Sequence, residues 1–209
     1  LSLTFFKVKV YFASASITNF MLVTYTIITA FMLIILRKFN RRPFHYYGIT
    51  LRRWRESIKD GILLSIPVLI LATVGKAIAT VIPDSPFYGH NVFDFYNKYG
   101  NTISIIGVYM IICFLQEFIT RGGLLAISRQ IFFEADNMKT PWRSIFLSSM
   151  FFMLFYIHLP ITILILSCIL SLYWGWLYVR TNNLIGVTLN HIIVSLFGLY
   201  ALGINELVT

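Results

Sequence analysis

Glu117 and Arg121 stand four residues apart in the stretch CFLQEFITRGG, with Gln116 and Thr120 between and beside them. Helical geometry brings the acid and the base to one face and sets Gln116 and Thr120 on the adjoining strip. The surrounding run, about 103–127, is otherwise apolar, and an ionised side chain at bilayer depth costs at least about 2.5–3.5 kcal/mol. Two such charges in one membrane helix call for a use. His158, in FFMLFYIHLP, and His191, in NLIGVTLNHIIVS, add two imidazoles on two further apolar stretches. Taken singly, each histidine reads as an interfacial or packing residue near a helix end. Taken with Glu117 and Arg121, they form the set a hydrolase uses. A carboxylate with a histidine holds and deprotonates a water, and a second histidine or an amide donates to the oxyanion. A guanidinium four residues away keeps the carboxylate ionised and fixes its rotamer. Glu117, His158 and His191 are equally a common ligand set for a divalent metal such as zinc. Spacing alone leaves both chemistries open.

The elements that must position these residues are membrane helices. Of 209 residues, 58% are hydrophobic and only 12% charged, outside the usage of soluble domains. The chain is read as an all-α, polytopic transmembrane bundle forming a single domain over 1–209. Lys and Arg number 17 against 8 Asp and Glu, but the basic residues collect between apolar runs, where they set topology and meet anionic headgroups. Membrane lipids are therefore expected partners, and nucleic acid is not. Cys113 and Cys168 lie in apolar runs and read as small buried hydrophobes. Motifs of the CxxC, P-loop, HExxH and GxSxG kinds are absent, which removes zinc-finger, nucleotide-hydrolase, zincin and serine-hydrolase readings. The chain opens on Leu1 with no signal peptide, and is read as a segment of a longer protein.

A spanning helix needs roughly 20 mostly apolar residues. By that rule six spans are predicted, at about 13–36, 61–82, 102–127, 144–159, 161–179 and 184–202, with a seventh element in the first residues around Lys7 and Lys9. The loop RKFNRRPFHYYGITLRRWRESIKD between the first two spans is strongly basic, so 37–60 is expected on the cytoplasmic side of a bacterial membrane. The connection at His158, Leu159 and Pro160 forces the fourth and fifth spans into a hairpin, and RTNN does the same for the fifth and sixth. At about 1.5 Å per residue, Glu117 and His191 fall at matching depth in the cytoplasmic half, whereas His158 falls deeper from its own start. Lys76 is expected to make a structural contact or to pair with a carboxylate such as Glu117. Trp174 and Trp176 are read as belt residues at the lipid interface.

These residues resemble the CAAX protease and bacteriocin-processing family of intramembrane proteases, the Abi or CPBP proteins. That family carries EExxxR on one helix, FxxxH on a second and HxxxN or HxxxD on a third. QEFITRGGL is similar to the first motif, LFYIH to the second and HIIVS to the third, with YVRTNNLIGVTLNH leading into the last histidine. The likeness covers about 111–200, within a family-like core at about 102–205. It implies a glutamate-activated water beside the first histidine and an oxyanion site at the third motif. Carried over, Glu117 and His158 would activate water, His191 and Ser195 would stabilise the oxyanion, and Arg121 would orient Glu117. The chain departs at three places: Gln116 stands where the first Glu belongs, Leu154 where the Phe belongs, and Ser195 where the Asn or Asp belongs. Gln116 matters most, because an amide cannot accept a proton from water. Two functions follow. One is endopeptidase cleavage of a membrane-associated or prenylated peptide; the other is a catalytically silent relative that binds a membrane partner through the same cavity. Transport along Lys76, Glu117 and Arg121 is a third reading, opposed by the lack of a visible internal repeat.

Overall fold

The computed structural model describes residues 20, 23–35, 38, 43–93, 102–132, 141–157 and 159–203. His158, Lys7 and Lys9 lie outside the described residues, as do parts of the expected loops at 37–42, 94–101 and 133–140. The described chain is all-helical. Its helices are α1 Val23–Ile35, α2 Trp54–Leu63, α3 Ser65–Ala79, α4 Thr102–Glu117, α5 Ala126–Ile131, α6 Trp142–Met153, α7 Ile161–Thr181 and α8 Leu184–Leu196.

The six expected spans meet four helices long and apolar enough to cross a membrane and two shorter ones. The long helices run Trp54–Ala79, Ile106–Ile131, Ile161–Thr181 and Leu184–Ala201; the shorter are Val23–Ile35 and Trp142–Tyr156. Prolines and asparagines mark the boundaries. Pro67 removes a backbone donor and crowds the carbonyl four residues earlier, which accounts for the break at Leu64 between α2 and α3. At the break, the Leu64 carbonyl accepts from the Tyr173 hydroxyl on α7. Pro160, extended at φ −53° and ψ 148°, opens α7. Asn182 closes it in the left-handed region at φ 48°, and Asn183 caps α8 by accepting from the Ile185 amide at 2.8 Å. The RTNN turn is thus both a hairpin and a cap.

One part of the expected 37–60 loop is helical. Its basic segment forms α2, which runs into α3 and packs along α8. The reason is close approach through two glycines. A Cβ on Gly186 would lie 2.0 Å from the Ser57 carbonyl oxygen, and one on Gly61 would lie 2.5 Å from the Gly186 carbonyl oxygen. The backbones meet there, and polar groups staple them: Gly186 N donates to Ser57 Oγ at 3.0 Å, and Asn190 Nδ2 donates to the Gly61 carbonyl at 2.9 Å. Local sequence showed the charges of this segment but not the partner that makes it fold as a helix.

Trp174 corrects a second expectation. It is buried on α7 rather than facing lipid, within a core that includes Phe118, Ile145, Phe152 and Leu177. Lys76 is buried too, and its Nζ donates to the Leu202 carbonyl at 2.6 Å beneath the Phe87 ring. It ties α3 to the end of the last helix and does not reach Glu117.

Candidate active site

The helix bearing the tetrad changes pitch at the residues of interest. After α4 the chain takes wide π-type turns over Phe118–Leu125, then returns to α-geometry at α5. Such turns are rare and frequent at functional sites, because the extra residue re-aims side chains. Two glycines follow Arg121, and a Cβ on Gly123 would lie 1.9 Å from Met32 Sδ, so the glycine lets α1 close over this segment.

Glu117, Arg121 and His191 converge and are fully buried. Glu117 Oε1 lies 2.8 Å from His191 Nδ1, and Oε2 lies 3.2 Å from Arg121 Nε as an ion pair outside hydrogen-bond alignment. The guanidinium's other nitrogens are held elsewhere. Nη2 donates to the Ser171 carbonyl at 2.7 Å and to its hydroxyl at 2.9 Å, and Nη1 donates to Thr120 Oγ1. Thr120 in turn donates to the Gln116 carbonyl at 2.7 Å, and the Phe152 ring lies under the guanidinium at 5.0 Å. Arg121 is thereby fixed from three helices. In a buried pair of this kind, loss of one partner strands the other charge, at a cost of about 3–5 kcal/mol.

His191 is equally constrained. Its ring stacks on Trp174 with centroids 3.9 Å apart, and Trp174 Nε1 donates to Asn190 Oδ1 at 2.9 Å. With Nδ1 directed at Glu117, Nε2 is buried and has no hydrogen-bond partner among the described residues. A carboxylate on Nδ1–H puts the lone pair of a neutral imidazole on Nε2, the tautomer that accepts a proton.

Gln116 is buried on the same helix, its Nε2 donating to the Tyr25 hydroxyl of α1 at 3.2 Å. The Tyr156 phenol also lies against the Gln116 amide. Ser195 sits one turn beyond His191, beside the Tyr109 hydroxyl of α4. Of the six residues singled out by sequence, Glu117, Arg121 and His191 touch directly, Gln116 adjoins them through Thr120, Ser195 stands a turn away, and His158 is outside the described residues. Sequence reasoning missed Trp174, Asn190, Ser171, Tyr25 and Tyr156. Asn190 adjoins His191 in sequence, and it alone carried a local signal; the rest arrive from other helices.

A metal reading finds no support in the described donors. No three His, Cys, Asp or Glu side chains among the described residues converge on one point. Glu117 already engages one oxygen with a guanidinium and the other with an imidazole. Glu117 and His191 are two of the three ligands of the expected metal set, and the third, His158, lies outside the described residues.

Residues 98–197 match the family model described as type II CAAX prenyl endopeptidase Rce1-like. The match spans Gln116, Glu117, Arg121, His191 and Ser195 and bears out the likeness carried by the three motifs. No curated protein and no solved structure matches the chain.

Proposed function

We propose that this integral membrane protein is an intramembrane endopeptidase that hydrolyses a peptide bond in a membrane-associated or prenylated substrate. The observation that carries the reading is the 2.8 Å contact of Glu117 with His191, which leaves Nε2 buried and without a hydrogen-bond partner among the described residues. His191 Nε2 takes a proton from the attacking nucleophile and returns it to the leaving amine. Glu117 holds the ring in the required tautomer and stabilises the imidazolium that forms. Arg121 holds Glu117 ionised. Gln116, Tyr156 and Ser195 are neutral donors on the surrounding helices and suit an oxyanion. This moves Glu117 from base to orienting group, since both of its oxygens face cations or donors. His158 enters as a second polar group for the substrate. The basic residues of 37–60 support a cytoplasmic side for that end, in a bacterial membrane.

The test is cleavage of a farnesylated CAAX peptide by the full chain in liposomes, followed by mass spectrometry. Release of the carboxy-terminal tripeptide is expected, with losses of at least ~100-fold in His191→Ala and Glu117→Gln, the scale of a lost general base. Wild-type activity unchanged by both substitutions would overturn the assignment.

A second reading has its own observation. The Gln116 amide is held between Tyr25 and Tyr156 at the place where the motif carries a carboxylate. In that reading the buried polar cluster binds the peptide segment of a membrane partner without cutting it, and the wild type would retain the farnesylated peptide intact.

A further inference from the structure

Glu117, Arg121 and His191 have no solvent exposure, so a peptide reaches His191 Nε2 only if an element covering the site moves. The covering elements differ in how they are held. Before α2 the chain is tied down through its backbone: Asn183 Nδ2 donates to the Thr50 and Arg52 carbonyls at 2.9 and 3.0 Å, and the Leu184 amide donates to the Gly48 carbonyl at 3.0 Å. α2 is stapled to α8 through Ser57, Gly61 and Asn190, and α7 holds Arg121 through Ser171. α1 is held otherwise. It buries Tyr25 and Thr29, with Met32 and Leu33 half-buried in the same stripe, while Val23, Ile27, Phe31 and Ile34 are exposed. Tyr25 meets Gln116 and Met32 meets Gly123, seven residues further on in each stretch, so α1 runs parallel to the tetrad helix and covers it along one narrow seam. The polar tie across that seam is neutral, Gln116 Nε2 donating to the Tyr25 hydroxyl at 3.2 Å, and the Tyr25 ring rests edge-on against Phe155 with centroids 5.0 Å apart. One turn along the seam, Thr29 Oγ1 is buried without a hydrogen-bond partner among the described residues.

We infer that α1 is a lateral gate, latched by Tyr25 on Gln116, and that a lipid-bearing peptide enters from the bilayer between α1 and the tetrad helix. What enters rests on the endopeptidase reading above; that α1 opens does not. The exposed apolar face of α1 has lipid as its other neighbour, and helices in a bilayer have no hydrophobic force between them. Parting α1 from the bundle therefore exchanges apolar packing for apolar lipid, at the loss of the Gln116–Tyr25 hydrogen bond. Opening at α2, or at the segment before it, would instead strand several backbone and amide groups at once. Elements that move to admit a ligand are drawn from the least firmly tied parts of a fold. An apolar chain carried by the peptide then fills the seam vacated along Phe155, Met32 and Leu33, and the peptide follows it toward His191. Opening also changes the task of Gln116. Its amide donates to Tyr25 while α1 is seated and is free to donate to a peptide carbonyl once α1 has left, whereas an ionised carboxylate could donate in neither state.

The test uses the full chain in liposomes, with Cys113→Ala and Cys168→Ala removing the natural thiols. Nitroxide labels go on Ile34→Cys of α1 and Ile169→Cys of α7, both on exposed faces, and double electron–electron resonance reads the distance between them. Tyr25→Phe is expected to raise the fraction at longer distance about 5-fold, the scale of one lost hydrogen bond. A farnesylated CAAX peptide is expected to raise it with Tyr25 in place, and the same peptide without its farnesyl group is not. A distribution unchanged by both Tyr25→Phe and the farnesylated peptide overturns the gate, and an equal response to the two peptides overturns entry by the lipid chain. A second arm locks the seam with Met32→Cys and Gly123→Cys, the first of which removes the sulfur that a Cβ at 123 would meet. Oxidation to the disulfide should cut release of the carboxy-terminal tripeptide at least ~10-fold, with recovery in dithiothreitol. Undiminished cleavage by the oxidised chain overturns the route while leaving hydrolysis by this site intact. If the double-cysteine chain misfolds on thermal unfolding, the nitroxide distances decide alone. A chain whose α1 moves with the farnesylated peptide but which never cleaves it supports the gate and overturns the endopeptidase reading.

Discussion

Trp174 lies nearly parallel to His191, with ring centroids 3.9 Å apart and 22° between the planes. The indole comes from α7 and the imidazole from α8, joined by a turn of two asparagines that closes one helix and caps the next. With Glu117 on Nδ1, the stack leaves the imidazole one orientation. The position of Nε2 is therefore set by three helices, and each can be perturbed separately.

Trp174→Phe keeps an aromatic face against His191 and removes the Nε1 donor to Asn190. A lost hydrogen bond of about 1 kcal/mol predicts roughly a 5-fold fall in peptide cleavage, with little change in the unfolding midpoint. Trp174→Ala removes the stack and opens a cavity, and should cost about 3–5 kcal/mol of stability. Parallel thermal unfolding and cleavage assays check both; equal activity in Trp174→Ala and wild type would show that the stack does not position the base.

Arg121 and Glu117 should behave as one unit. Arg121→Ala leaves a buried carboxylate without its cation and is expected to destabilise by about 3–5 kcal/mol. Arg121→Ala combined with Glu117→Gln should be less destabilised than the sum of the single changes, with a coupling of about 0.5–3 kcal/mol. Denaturant unfolding of the four proteins in one detergent measures the cycle. Additive effects would mean that the 3.2 Å contact carries no net interaction.

The packing of α2 on α8 is testable at glycines. Gly186→Ala puts a methyl group 2.0 Å from the Ser57 carbonyl oxygen and must push the helices apart. Overpacking of that kind costs about 1–3 kcal/mol. Gly75→Ala meets nothing within 4 Å and should be neutral or slightly stabilising, since Gly weakens a helix interior by roughly 0.5–1 kcal/mol. A Gly186→Ala midpoint below wild type, with Gly75→Ala at or above it, is expected, and a Gly186→Ala midpoint at or above wild type would deny the close crossing.

How far the sequence reaches is seen in these same residues. The tetrad, His191 of the third motif and the apolar runs are legible because spacing on one helix and hydropathy are local properties. Glu117 beside Arg121 follows from a separation of four, and the RTNN turn follows from its asparagines. The contact of Glu117 with His191 could be expected only from matching depth, because nothing in either helix names its neighbour. Trp174 was misread for a related reason: composition puts tryptophan at the interface, whereas Asn190, supplied by another helix, gives its indole a buried acceptor. The basic segment of α2 was misread as loop because its charges dominate locally, while Gly61 and Gly186 matter only once they meet.

Gln116 gives the sharpest prediction. Gln116→Glu restores a carboxyl group where the motif has one, next to Tyr25 and Tyr156, and supplies a base for water. A carboxylate at 116 that takes a proton from water should raise cleavage by at least about 100-fold over the Gln116 chain. The measurement is release of the carboxy-terminal tripeptide from the farnesylated peptide by the two proteins. Equal cleavage by the two would show that the group at position 116 takes no part in the proton transfer.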